Sequence, residues 1–186
     1  MDIFTAINTR HSEGKVKADE LPRDVIEKLL SAGNQAPNHF KIRPWRFVVL
    51  TGKGRERFGE QLAAVFRAKF PDVPAEALDK ERLKALRAPL IIVVAVDQPV
   101  EPKENEVENI AAASAACQNI LLAANALGLG SIWRTGDPAR DPEIKKFFGF
   151  DPGQHLIGFL YIGYRDLVDV QFPARPSFED RTTWMD

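Results

Sequence analysis

At 186 residues, with 45% hydrophobic and 27% charged side chains, the chain has the length and composition of one globular domain with a real core. Its formal net charge of -1, with Lys and Arg interleaved among acids, argues against a polyanion-binding face, so no nucleic-acid partner is expected. Cys117 is the only cysteine, which excludes an intrachain disulfide and any multi-cysteine metal site.

The opening Met1-Asp2 carries no basic-then-apolar leader, so a cytoplasmic chain is expected. Residues 2–9 read as a short helix, because Phe4 and Ile7 lie three apart and share a face. Pro22 to about Gln35 reads as a second helix: proline suits the first turn, and Val25, Ile26, Leu29 and Leu30 form an apolar stripe. Trp45–Leu50 is aromatic and β-branched, ends at Thr51-Gly52, and is predicted as a strand. Residues 55–70 are amphipathic and predicted as a helix, with Phe58, Leu62, Val65 and Phe66 on one side. Pro71–Lys80 is read as a loop and the start of a short helix.

Leu90–Val96 is a continuous apolar run of strand length, predicted to be buried on both faces. Asn105–Leu127 is the longest predicted helix. Its Ile110–Leu127 part is nearly uncharged but rich in alanine, with Ser114, Gln118, Asn119 and Asn125 interrupting it. It falls short of the roughly 20 strongly apolar residues of a membrane span, so no membrane partner is expected. Its small residues Ala111, Ala112, Ala115 and Ala116 fit either the centre of a dimer or a core helix of a monomer. Ser131–Arg134 follows as a short strand, Pro142–Phe148 as a short helix and Leu156–Tyr164 as the last strand. Residues 165–186 are read as an extended tail anchored by Val168, Val170, Phe172, Phe178 and Trp184. Nothing divides residues 1–186, so one domain is expected.

Three segments could carry chemistry. In Arg10-His11-Ser12, the arginine presents a planar fork of donors matched to a phosphate, and the serine adds a hydroxyl. Arg10 and His11 also fit solvated residues that complement a helix dipole. Ala36-Pro37-Asn38-His39 leads through Lys41 and Arg43 to Pro44-Trp45, and its prolines suit a helix-to-strand loop. Lys41, Arg43 and Arg46 place positive charge there, either for solvation or for tuning a bound group. Gly128-Leu129-Gly130 has a helix before it and a strand after it, the reverse of a dinucleotide fingerprint, and is read as a helix cap. His11, His39 and His155 lie on separate segments without metal-ligand spacing, so no metal is expected. Cys117 reads as a small core residue.

In this order the segments, together with Trp133-Arg134-Thr135-Gly136, resemble the nitroreductase family over about residues 2–164, and most of all its small NAD(P)H nitroreductase subgroup. The resemblance implies an α+β, nitroreductase-like fold: a central mixed β-sheet flanked by helices, with a C-terminal arm reaching the dimer partner. It implies a homodimer that binds FMN at the subunit interface and passes hydride from NAD(P)H through the flavin to a small nitroaromatic or quinone-type acceptor. By resemblance, Arg10, His11 and Ser12 bind the phosphate and ribityl chain. Gln35 and His39 reach the flavin of the other subunit, and Trp133, Arg134 and Thr135 run along the cofactor, Arg134 suiting the phosphate. Arg175 resembles a late arginine that meets the phosphate. The chain departs from the pattern at Gly14, where many members carry a basic residue, and at Asn38, Lys41 and Arg43. In such a scheme the flavin does the chemistry, so no catalytic side chain is assigned. The alternative is a flavin-binding module or sensor of the same fold without efficient turnover.

Overall fold

The computed structural model describes residues 1–166 and 175–185. Val168, Val170 and Phe172, three of the expected tail anchors, lie outside them. A four-stranded sheet forms the centre, in the order β1-β2-β4-β3. Its strands are β1 (Trp45–Leu50), β2 (Leu90–Val96), β3 (Leu129–Arg134) and β4 (His155–Tyr164). Every pairing among the described residues is antiparallel. The α+β class stands as expected, but the sheet shows no parallel pairing there to make it mixed. The expectation of a strand buried on both faces holds: all seven residues of β2 are buried.

The alternation of β2 explains the layering. Leu90, Ile92, Val94 and Val96 point into one core with Ala113, Ala116, Cys117 and Ile120 of helix α5 (Glu106–Ala126) and Ile26 and Leu29 of α2 (Arg23–Asn34). Ile91, Val93 and Ala95 point into a second core. There they meet Phe58 and Leu62 of α3 (Gly52–Lys69), Ile144 of α7 (Pro142–Phe147), and Phe159 and Tyr161 of β4. Helix α4 (Ala75–Lys84) packs on α3, and α1 (Ile3–Thr9) packs on α5. The four-residue helix α6 (Asp137–Arg140) follows β3 and was not anticipated.

Small features set the site's floor. Gly128, at φ 76°, closes the end of α5 and turns the chain into β3. A register shift between Val94 and Ala95 leaves Ile157 of β4 without a partner on β2. Its carbonyl instead accepts the Trp133 indole N–H at 3.1 Å. Gly158, at φ 150°, leaves room for that indole, because a Cβ there would collide with it.

Candidate functional site

Arg10 ends α1 and stands half-buried. The Arg175 guanidinium donates to the Arg10 carbonyl at 2.8 Å. Burial, and then the nearby charge of Arg175, lowers the Arg10 pKa from its ordinary value. Two like charges thus share one corner. His11 donates through Nδ1 to the Thr9 carbonyl at 2.7 Å, and its Nε2 lies 3.2 Å from Glu13. Ser12 is exposed.

The segment after Ser12 is a strap laid on the sheet. Glu13 N–H donates to the Ser131 carbonyl at 2.9 Å, and Lys17 N–H to the Tyr164 carbonyl at 2.8 Å. A Cβ on Gly130 would come within 2.9 Å of Val16, so glycine lets the strap lie flat on β3. Asn125, buried on α5, clamps the corner from behind. Its amide donates to the Ala6 carbonyl and to Thr9 Oγ1, each at 2.9 Å, while its oxygen accepts from Arg165. The Arg134 guanidinium would lie 3.5 Å from a Cβ on Gly14, so it stands in ordinary contact distance of the strap.

Arg134 also opens onto a cavity of about 430 Å³ between α3, α4, β3 and β4. Phe58, Leu62, Ile132, Phe159 and Tyr161 give it apolar walls, and Trp133, Thr135, Gly136 and Pro138 line its rim. Lys84, Arg87 and Arg134 supply its charge, and among the described residues no carboxylate lines it. Arg134 Cζ lies 5.7 Å from the centre of the Tyr161 ring, and Arg134 Nε is buried without a hydrogen-bond partner. Burial raises the Tyr161 phenol pKa, while Arg134 and Arg87 pull against that rise. A second cavity of about 280 Å³ adjoins the first through Leu62, Lys84 and Pro138.

The sequence pointed to Trp133, Arg134 and Thr135 but missed Lys84 and Arg87. It looked instead to Lys41, Arg43 and Arg46 for positive charge. Within one protomer none of these three lines the cavity, and Arg46 pairs with Asp97 at 2.6 Å. Lys84 closes α4 and Arg87 lies in the turn that feeds β2, and their charge pattern alone gave no signal that set them apart from a solvated helix end.

Gln35 and His39 stand elsewhere. Gln35 lines a shallow cavity of about 380 Å³ with α1 and the C-terminal half of α5. His39 donates to Glu108, at the N-terminal end of α5, over 2.9 Å. Asn125, which holds the Arg10 corner, is 17 residues further along that helix, or about 25 Å at 1.5 Å per residue. Within one protomer His39 and Arg10 therefore sit at opposite ends of α5.

Residues 7–164 match the model of the nitroreductase family. The chain belongs to the nitroreductase family. A protein of Escherichia coli K12, provisionally named NAD(P)H nitroreductase YdjA, is 34% identical over 163 residues, covering 88% of each chain. The crystal structure of a nitroreductase-like family protein from Bacillus cereus superposes with a TM-score of 0.83 at 27% identity, covering 100% of this chain and 96% of that one. A provisionally named nitroreductase from Desulfovibrio desulfuricans, solved in complex with FMN, superposes with a TM-score of 0.71 at 25% identity over 93% and 92% of the two chains. In the present chain the Arg10 corner opens the strap whose Gly14 lies beside the Arg134 guanidinium, and Trp133, Arg134 and Thr135 line the cavity. Cys117 is fully buried in α5, and burial pushes its thiol pKa up to about 12, so it is no nucleophile. Among the described residues no group of three or more His, Cys, Asp or Glu could hold a metal, and no helix is long and apolar enough to cross a membrane.

Proposed function

We propose that the chain is an FMN-dependent oxidoreductase that uses NAD(P)H to reduce small nitroaromatic or quinone-type acceptors, and that it works as a homodimer. The observation that carries this reading is the corner shared by Arg10 and Arg175, joined by the strap to a cavity with three cations. Two guanidiniums side by side repel each other, and a phosphate dianion turns that repulsion into charge-assisted hydrogen bonding. The buried, unpartnered Arg134 Nε is a donor that still needs an acceptor. The cavity's flat apolar walls suit a planar ring, and its cations suit one that gains negative charge. The residues present therefore fit FMN.

When bound, FMN supplies the two-electron transfer itself. In this reading Arg10, His11, Ser12 and Arg175 hold the phosphate end, and Trp133, Arg134 and Thr135 line the path to the ring. Lys84, Arg87 and Arg134 lower the cost of negative charge on the ring's electron-rich edge. The aromatic floor of Phe58, Phe159 and Tyr161 keeps water from that side. No side chain of the cavity is assigned a proton to move.

The dimer is supported by unpartnered apolar surface. Ile3, Phe4 and Ile7 of α1 are exposed, as are Phe178 and Trp184 of the tail, at 66% and 81%. Ala111 is exposed and Ala115 half-buried along α5, which suits close helix approach. In a two-fold pair of antiparallel α5 helices the N-terminal end of one meets the C-terminal end of the other. The His39 loop of one subunit then faces the Arg10 corner of its partner, while Gln35 stays beside α1 and the C-terminal half of α5 of its own subunit.

The test is a visible spectrum of the protein loaded with FMN, followed by anaerobic NADH and NADPH in separate samples. The expected result is about one tightly held FMN per chain, a flavin band bleached by at least one nucleotide, and its return on adding a nitroaromatic. No FMN uptake overturns the reading. FMN uptake without bleaching by either nucleotide leaves a binding module and overturns the enzyme.

A further inference from the structure

The loop between α2 and β1 is held in a conformation that its residues rarely adopt. Phe40, Lys41 and Arg43 all have positive φ, at 51°, 57° and 53°. For a residue as bulky as phenylalanine this is an outlier. The loop is fixed from several sides. Asn38 accepts from Arg43 N–H at 2.9 Å and donates to the Ala36 carbonyl at 3.3 Å; Ile42 N–H donates to the His39 carbonyl at 3.3 Å; and His39 is tied to Glu108. The outcome is an aromatic ring held out of the core. Phe40 is 52% exposed. It stacks on the His39 ring at 4.0 Å between centroids and 22° between planes, and Lys103 Nζ lies 5.2 Å from its centre. Among the described residues Lys103 has no carboxylate partner, and neither do Lys41 or Arg43. Strain that keeps an apolar ring in solvent points to a use for the ring at a surface.

Resting on the shared flavin site proposed above, we infer that Phe40 is the acceptor-selecting wall of the partner subunit's site. It takes planar aromatic acceptors that carry an anionic substituent. If His39 reaches the partner's flavin, the Phe40 ring stacked on it at 4.0 Å enters the same site. The Phe40 face supplies stacking area for an aromatic acceptor. Lys103, beside that face, supplies the charge that favours a carboxylate-bearing acceptor over a neutral one. Phe40 is thus a specificity-determining residue, separate from the groups that hold the cofactor.

The experiment uses the FMN-loaded full-length protein. Benzoate and benzamide are titrated against the oxidised flavin, with binding read from the shift of the visible band, and turnover is compared with 4-nitrobenzoate and ferricyanide. Phe40→Ala is expected to weaken benzoate by about two- to tenfold, the range one aromatic stacking contact supplies. Phe40→Asn, whose side chain tolerates the left-handed backbone, is expected to do the same and guards against a folding defect. Phe40→Tyr keeps the ring and should restore wild-type affinity. In both ring-deleting variants KM for 4-nitrobenzoate should rise more than KM for ferricyanide. Lys103→Gln should narrow the preference for benzoate over benzamide. Equal benzoate affinity in the wild type and both ring-deleting variants, with FMN still bound, overturns the role of Phe40 alone. Failure of the wild type to take up FMN overturns the flavin site and this role together.

Discussion

Arg10 and Arg175 are like charges brought together by the fold, and burial adds to the cost of keeping Arg10 ionised. An anion at that corner offsets both penalties, so the pair is worth more to a ligand than to the empty fold. Arg10→Ala should weaken FMN binding by about 10- to 150-fold, the loss of about 1.5–3 kcal/mol expected for a charge-assisted contact. The same change should move folding stability by no more than about 0.5 kcal/mol, because the half-buried Arg10 guanidinium meets a like charge at Arg175 rather than a carboxylate. FMN fluorescence quenching and urea unfolding measure the two effects, and unchanged FMN affinity would remove Arg10 from the site. At this scale legibility depended on local pattern. Arg10-His11-Ser12 and Trp133-Arg134-Thr135 are compact strings whose residue types suit phosphate and ring contacts. Lys84 and Arg87 are not, because they continue the alternating charges Asp79-Lys80-Glu81-Arg82, which read like any solvated helix end. They become a site only when α3 and β3 close over them.

The same contrast holds for whole elements. Strands β1 and β2 begin and end where their residues predict, since aromatic, β-branched and continuous apolar runs of that length have few other uses. Helix α3 begins three residues earlier than its amphipathic stripe suggests, because Gly52 and Gly54 hide the first turn. Helix α6 is a four-residue turn, too short for any periodicity to announce. The mixed sheet came with the resemblance, and nothing in β2 argued against it: a fully apolar run is typical of parallel sheets covered on both faces. Here the sheet is antiparallel among the described residues, and helices cover both its faces, which imposes the same apolar run. Close helix packing gives a test at this scale. A Cβ on Gly59 of α3 would lie 2.7 Å from the carbonyl oxygen of Arg82 in α4, and backbone cannot step aside as a side chain can. Gly59→Ala should gain helix propensity yet lose more to overpacking, for a net cost of about 1–2 kcal/mol. Gly54→Ala, whose new methyl would meet only the Leu50 side chain at 3.7 Å, should be neutral or slightly stabilising. Urea midpoints that fall equally in both variants would show that the α3–α4 contact does not set the cost. A shift of α4 also moves Lys84, so the Gly59 variant should bind FMN more weakly as well.

At the scale of the molecule, the 21-residue helix α5 separates two halves of one proposed site. The Arg10 corner is clamped to its C-terminal end by Asn125, and His39 is tied to its N-terminal end through Glu108. If both serve one flavin, they come from different subunits, and that can be tested by mixing lesions. In a heterodimer of one Arg10→Ala chain and one His39→Ala chain, one site takes its arginine from the His39 variant and its histidine from the Arg10 variant. That site is whole, and the other carries both lesions. The mixed dimer should hold about one FMN tightly and keep roughly half of the wild-type activity, while each parent homodimer is defective at both sites, the Arg10 parent by the affinity loss argued above. If Arg10 and His39 came from one chain, each site of the mixed dimer would carry one lesion and none would be whole. Separately tagged chains, purified as the mixed species and titrated with FMN, distinguish the two arrangements. A mixed dimer with no tight site would refute the shared site, even if both parent variants lose FMN as expected.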